Sequence, residues 1–252
     1  MDMVITATAA FLLAGLVKGV LGFGFPIIAL VVLTLTLGLL DALAIIIVPT
    51  LITNIWQALS VPHLRAILER MWLYFLLSMI GILIASRYLA IVNVNWLTAL
   101  LGIILCIFAV SRLLDIHITV ARENERILSL ILGSANGALT GLTGTFMIPS
   151  VLYMQALGFG KDKLVQAMGA FFTASTLMLM ISLGSNDLLS TDEAAMSAIA
   201  LLPSFAGIYL GLWIRKRIDE DQFQKMFLVA VLLLGGYLVW RSAQALLLTP
   251  LS

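Results

Sequence analysis

Two glycine and proline clusters hold the residues best suited to binding a ligand in an apolar setting. The first reads Gly15-x-x-x-Gly19-x-x-Gly22-x-Gly24-x-Pro26, with Lys18 inside it. The second, about 122 residues later, reads Gly137-x-x-x-Gly141-x-x-Gly144-x-x-x-x-Pro149, with Thr140, Thr143 and Thr145 interleaved. Such clusters break a helix, and the half-helix after a break presents unpaired N–H groups and a positive dipole end of roughly half a charge. An oxyanion offers acceptors in several directions and fits that terminus, while glycine lets the backbone come close. Meeting near the midplane from opposite sides, the two breaks would cradle an anion between them. The three threonines could add hydroxyl donors.

Lys18 is the sharpest single residue. A lysine near the bilayer centre costs about 2.5–3.5 kcal/mol on insertion scales, so it is expected to have a use there. It would counter the charge of an anion, or release a proton as the anion leaves. The alternative is snorkelling, its stem reaching water at the end of the first apolar segment. Asn54, Gln57, Gln155, Gln166, Thr173, Ser175 and Thr176 are the other polar residues within apolar segments. Each can touch a substrate or join helices by hydrogen bonds, and Asn54 and Gln166 lead for contact. Asn54 aligns approximately with Ser175 when the two halves are compared. The candidate binding set is therefore Lys18, Gly19, Gly22, Gly24, Pro26, Asn54, Gln57, Thr140, Gly141, Thr143, Gly144, Thr145, Gln166 and Ser175.

The elements that must position these residues are membrane helices. The chain of 252 residues is 62% hydrophobic and 11% charged, with a mean hydropathy of +1.13. Soluble domains carry roughly 45–50% apolar and about 25% charged residues. Charge-free runs at 19–40, 42–62, 88–111, 127–160, 164–186 and 194–214 are each long enough for about 20 residues of spanning helix. The fold class is an all-α polytopic membrane protein. Ten apolar segments are expected, at about 3–20, 25–40, 42–60, 71–91 and 94–112, then 127–143, 146–158, 164–183, 194–213 and 224–248. The first two of each half are short. They are full spans or a re-entrant hairpin of half-helices, and the length of the run 127–160 favours the hairpin.

The cationic residues set an orientation by the positive-inside rule. Threading the loops alternately gathers Arg65, Arg70, Arg112, Arg122, Arg126, Lys161, Lys163, Arg215, Lys216, Arg217 and Lys225 on the cytoplasmic side, leaving Arg87 and Arg241 opposite. Both termini come out non-cytoplasmic, in a bacterial inner membrane. Five segments per half is odd, so the halves are inverted repeats: residues 1–114, a cytoplasmic connection 115–126, and residues 127–252. Asp41 and Asp162 occupy matching places after the two breaks. Broken helices at matching positions of two inverted repeats point to a transporter's binding site. Close packing is the other role of small-xxx-small patterns. It is expected to contribute at Gly15/Gly19 and Gly133/Gly137/Gly141, and to explain Gly207/Gly211.

Other chemistries find little support. His63 and His117 fall in loops without a second ligand at metal spacing, so no metal or cofactor is expected. The chain lacks His-Glu-x-x-His, paired intramembrane Asp residues, a Gly-x-Ser-x-Gly elbow, and a His within a span to activate Ser or Cys. It is not expected to be an enzyme. The net charge of +1 is uninformative about nucleic acid, and no basic aromatic patch suggests such a partner. Cys106, the single cysteine, reads as a small hydrophobe. The start Met-Asp-Met-Val lacks a basic n-region, so no cleaved signal peptide is expected. Trp56 and Trp72 suit an interfacial belt.

Taken together, Lys18-Gly-Val-Leu-Gly-Phe-Gly-Phe-Pro26 and Pro49-Thr-Leu-Ile-Thr-Asn54-Ile-Trp56-Gln57 resemble the first repeat of the sulfite exporter TauE/SafE family. Thr140-Gly-Leu-Thr-Gly-Thr-Phe-Met-Ile-Pro149, then Gln155-Ala-Leu-Gly and Leu164-Val-Gln166-Ala, resemble its second. The family's usual triple-glycine run is absent from both halves. The resemblance implies transport of sulfite, an organosulfonate or a related small anion, with no nucleotide-hydrolysing subunit in this chain. A channel-like pore or a membrane scaffold for a partner complex is the alternative.

Overall fold

The apolar runs leave the backbone no solvent partner, so each closes its own N–H and C=O groups by becoming helical. The computed structural model describes residues 2–115, 118–186, 188–189 and 196–248; His117 and most of the loop before residue 196 lie outside them. In chain order the helices are α1 (Asp2–Leu21), α2 (Phe25–Leu37), α3 (Leu39–Ala58), α4 (Leu64–Ala85) and α5 (Val94–Leu113). Then follow α6 (Glu125–Thr143), α7 (Ser150–Ala156), α8 (Lys161–Ser185), α9 (Leu201–Arg215) and α10 (Glu220–Leu248). No strand occurs among the described residues.

Among the described residues, each of the ten apolar segments overlaps one of these α-helices, with its boundaries moved. α1 and α6 run 20 and 19 residues, whereas α2 and α7 have only 13 and 7. At 1.5 Å per residue those two reach about 20 and 10 Å, short of the roughly 30 Å of a hydrocarbon core. α9 starts later than the apolar run does, after a helical stretch at 196–199 and a turn at Ala200. Among the described residues, six helical segments are long and apolar enough to cross a membrane: Leu39–Ala58, Leu64–Ala90, Val94–Leu113, Lys161–Ser185, Met196–Arg215 and Glu220–Leu248.

The chain forms two compact units, each assembled from both halves of the sequence. The first comprises Met1–Ile46, Ile91–Ile116 and Thr191–Ser252. Within it α1 packs along α9, and α5 along α10. The α1–α9 seam is built from glycine: a Cβ on Gly15 would collide with the Ser204 carbonyl, and one on Gly19 with that of Ile208. Gly207 and Gly211 are equally blocked by the carbonyls of Leu12 and Leu16. On the α5–α10 seam a Cβ at Gly102 would sit 2.6 Å from the Gly235 carbonyl, and the Cys106 thiol donates to the Leu232 carbonyl at 3.7 Å.

The second unit comprises Ile47–Ala90 and His117–Ser190. Here α6 packs along α4, and α8 also meets α4. Gly133, Gly137 and Gly141 of α6 lie against the backbone of Tyr74, Ser78 and Ile82. The Ser78 hydroxyl donates to the Gly133 carbonyl at 3.0 Å. Tyr74 and Phe75 of α4 meet the Phe171 ring of α8, both at 5.2 Å between centroids. The packing expected of the small-xxx-small patterns is present in both units.

Candidate functional site

The first break lies in the first unit. α1 ends at Leu21, the Gly22 amide closes onto the Lys18 carbonyl at 2.8 Å, and α2 restarts at Phe25 with Pro26 in its first turn. Gly22 and Gly24 have φ of +80° and +93°, which L side chains rarely adopt. A Cβ on Gly24 would also come within 2.9 Å of Val17 Cγ1 and 3.1 Å of the Phe227 ring. The geometry therefore requires Gly24 twice over. Lys18 lies beside this break with only 5% of its surface exposed, its Nζ 6.0 Å from the centroid of the Phe25 ring. Its side chain turns inward and does not snorkel.

The second break lies in the second unit. α6 ends at Thr143, Gly144 takes φ +70°, and its amide closes onto the Thr140 carbonyl at 2.7 Å. The Ile148–Pro149 peptide is cis, and α7 begins at Ser150. Thr140 donates its hydroxyl to the Thr145 carbonyl at 3.0 Å, and Thr143 donates to the Leu139 carbonyl at 2.7 Å. The Thr143 oxygen also accepts from the Thr145 amide at 3.3 Å. Two of the three threonines are thus engaged in shaping the turn. The Thr145 hydroxyl makes no hydrogen bond among the described residues and keeps its donor capacity.

The two breaks share one backbone feature. In the first, the N–H groups of Phe23, Gly24 and Phe25 find no acceptor among the described residues; in the second, the same is true of Phe146, Met147 and Ile148. Each set is the three residues immediately before a proline. Helix termini normally have such amides satisfied by caps, water or ligands. Three consecutive unpaired donors form a concavity suited to negative charge.

Around the second break, buried polar atoms lack partners in a way that demands explanation. Asn136, fully buried on α6, donates to the Thr140 hydroxyl at 3.4 Å, but its Oδ1 has no partner among the described residues. The Thr140 proton is already given to Thr145, so the Asn136 amide group faces Thr140 and its oxygen points elsewhere. Within the same unit the hydroxyls of Thr50 on α3 and Ser175 on α8 are also buried and lack a partner among the described residues. Asn54 is fully buried on α3. Asn136 and Thr50 were not in the candidate set drawn from sequence. The spacing of Asn136 to Thr140, one helical turn on the glycine-lined helix, is the signal that could have found Asn136.

Gln57 and Gln166 prove to be joints. Gln57 Nε2 donates to the Val165 carbonyl at 2.8 Å. Gln166 Nε2 donates to the carbonyls of Ala58 and Val61, while its Oε1 accepts from the His63 amide at 3.0 Å. Together they bind the end of α3 and the turn after it to the start of α8, where Gly169 lets the helices touch. Asp41 and Asp162 each sit in the first turn of their helix, α3 and α8, where a carboxylate complements the dipole. No group of three or more His, Cys, Asp or Glu with metal-binding proximity occurs among the described residues.

The long apolar helices, the glycine seams and the interrupted pairs α1/α2 and α6/α7 define an integral membrane protein of helical type. The family of sulfite exporter TauE/SafE matches residues 7–238 of the 252-residue chain. The chain belongs to that family, whose members are transporters. No curated protein and no solved structure matches it.

Proposed function

We propose that this chain is a secondary transporter that moves a small sulfur-containing oxyanion, such as sulfite or an organosulfonate, by alternating access. The observation that carries the reading is the pair of matched breaks, each with three consecutive amides directly before a proline that find no acceptor among the described residues. Such amides are donors without a net charge, and they accept oxyanions of varied shape. Lys18, buried beside the first break, supplies the formal positive charge. Asn136 and Thr145 add polar capacity at the second. Family membership supports the sulfur oxyanion as cargo.

The repeat architecture belongs to the same proposal. Counting five helices per half, α1 and α6 are equivalents, as are α4 and α9. The first helix of each half packs on the fourth helix of the other, α1 on α9 and α6 on α4, through glycine in both cases. That exchange is what an inverted repeat would produce, and inverted repeats supply two related conformations for alternating access. With α2 and α7 as part-depth helices and the cationic loops cytoplasmic, the protein resides in the bacterial inner membrane with both termini outside.

The test is a thermal-shift screen of purified protein against sulfite, thiosulfate, sulfoacetate, sulfate, acetate and chloride at fixed ionic strength, followed by flux into proteoliposomes. A selective rise with a sulfur oxyanion is expected, because a ligand preferring the folded state stabilises it, together with saturable flux of that anion. Saturation separates a carrier from a channel. Absence of both binding and flux would discard the transporter reading in favour of a scaffold.

A further inference from the structure

We infer that the end of the α4–α6 pair that carries Arg70 and Arg126, the cytoplasmic end in the proposed orientation, holds a binding site for the phosphate headgroup of an anionic phospholipid. A cavity of about 330 Å³ opens there, lined by Arg70, Trp72, Arg122, Glu125, Arg126 and Ser129. The lining holds three guanidiniums and one carboxylate. Glu125 is held by Arg70 at 2.6 and 3.0 Å, and the Ser129 hydroxyl is bonded to the Tyr153 hydroxyl at 2.8 Å. The acceptor groups are therefore occupied within the protein. Arg122, just before α6, and Arg126, in its first turn, are both exposed and add two positive charges at the mouth.

The surroundings favour a lipid over a soluble anion. Trp72 is exposed at the rim, as expected of a side chain at headgroup depth. Below it, Leu76 of α4 and Ile127 and Ile131 of α6 are exposed and apolar, a track for acyl chains. Basic pockets at the ends of membrane helices bind anionic headgroups for this reason. The site also reaches the far end of α7, the short helix after the second break, because Arg70 donates to the Leu157 carbonyl at 3.0 Å. A bound lipid would brace the Arg70–Glu125 pair and, through it, the α6–α7 hairpin.

The experiment uses full-length protein in nanodiscs of phosphatidylcholine, with and without phosphatidylglycerol. The wild type is expected to melt several degrees higher with phosphatidylglycerol and to retain it in native mass spectrometry. R122Q/R126Q should melt like the wild type in pure phosphatidylcholine, lose the phosphatidylglycerol shift, and retain that lipid about thirty-fold less well, at about 1 kcal/mol per juxtamembrane cation. If the double variant melts low even in phosphatidylcholine, R126Q alone is read by lipid retention, and unchanged retention overturns the site. R65Q/K216Q, which removes two exposed cations elsewhere, should keep the full shift; an equal loss would mean diffuse surface attraction and would overturn the site as well. Glycerol phosphate added to phosphatidylcholine discs should leave the melting point unchanged. A rise matching that of phosphatidylglycerol would reassign the cavity to a soluble phosphate ester.

Discussion

Gly81 of α4 and Gly137 of α6 face each other so closely that a Cβ built on Gly81 would lie 2.8 Å from the Gly137 Cα. The reverse construction, a Cβ on Gly137, would stand 2.5 Å from the Ser78 carbonyl oxygen. The obstacles are backbone atoms, which cannot rotate away. The separation of the two helices is therefore set by the absence of two side chains, and that separation carries α6 to the second break.

Gly137→Ala should consequently destabilise the protein by about 1–3 kcal/mol, the usual cost of overpacking. A melt in detergent should fall by several degrees. Gly236→Ala is the control, because a Cβ there meets nothing within 4 Å. It should leave the melting point unchanged or slightly higher, since alanine favours helix more than glycine does. Equal losses in the two variants would remove the packing argument.

Gly24 and Gly38 separate backbone strain from crowding. Both have strongly positive φ, at +93° and +97°, but only Gly24 is hemmed in by side chains. Gly38→Ala should cost about 1–3 kcal/mol from backbone conformation alone, because φ +97° with ψ 165° is open essentially to glycine only. Gly24→Ala should cost more and should weaken sulfite binding, as its amide is one of the three unpaired donors of the first break. Normal binding by a folded Gly24→Ala protein would count against those amides as the anion site.

Replacing Lys18 with methionine keeps the apolar stem and removes the buried charge. Methionine avoids the cost of burying an ammonium, so Lys18→Met should insert normally. Lys18→Ala should likewise insert. Both should lose anion-induced stabilisation. A Lys18→Met protein that still binds sulfite with wild-type affinity would release Lys18 from the site and leave the helix breaks as its basis.

Glu125 supplies the pH prediction. The hydrogen bond from Arg70 holds its carboxyl below the usual carboxylate range. A group depressed in the folded state contributes stability that is complete above its unfolded value, about 4.3 for glutamate. That contribution disappears as pH falls through the lower folded value. Between pH about 5 and 3 the wild type should lose melting temperature more steeply than Glu125→Gln, and the two curves should converge at the acid end. Parallel curves would show that the pair adds nothing to folding.

Much of the helical architecture was legible because a bilayer imposes it residue by residue. Runs such as 42–62 and 164–186 have no means of pairing their backbone groups except by helix formation, so ten segments could be delimited from hydropathy alone. The interruptions at Gly22–Pro26 and Gly144–Pro149 were legible for a similarly local reason. Positive φ at Gly22, Gly24 and Gly144 is a property of glycine itself. The seams at Gly15/Gly19 and Gly207/Gly211 were visible as spacings, though not as partners of one another.

Composition and local spacing, then, determined that this chain is a helical membrane protein with two matched breaks. They did so because lipid offers no alternative hydrogen-bond partner and because glycine and proline act at their own positions. Only the tertiary structure decided the rest. It paired α1 with α9 and α6 with α4, far apart in sequence, because each glycine face needs a complementary backbone. It turned Lys18 inward against Phe25, a choice between water and interior that its position in α1 left open. It assigned Gln57 and Gln166 to the α3–α8 joint and left Asn136 Oδ1 buried without a partner among the described residues. Whether an amide side chain binds a neighbour or waits for a ligand depends on which carbonyls packing brings within hydrogen-bond reach, about 3 Å, and the sequence does not contain that distance.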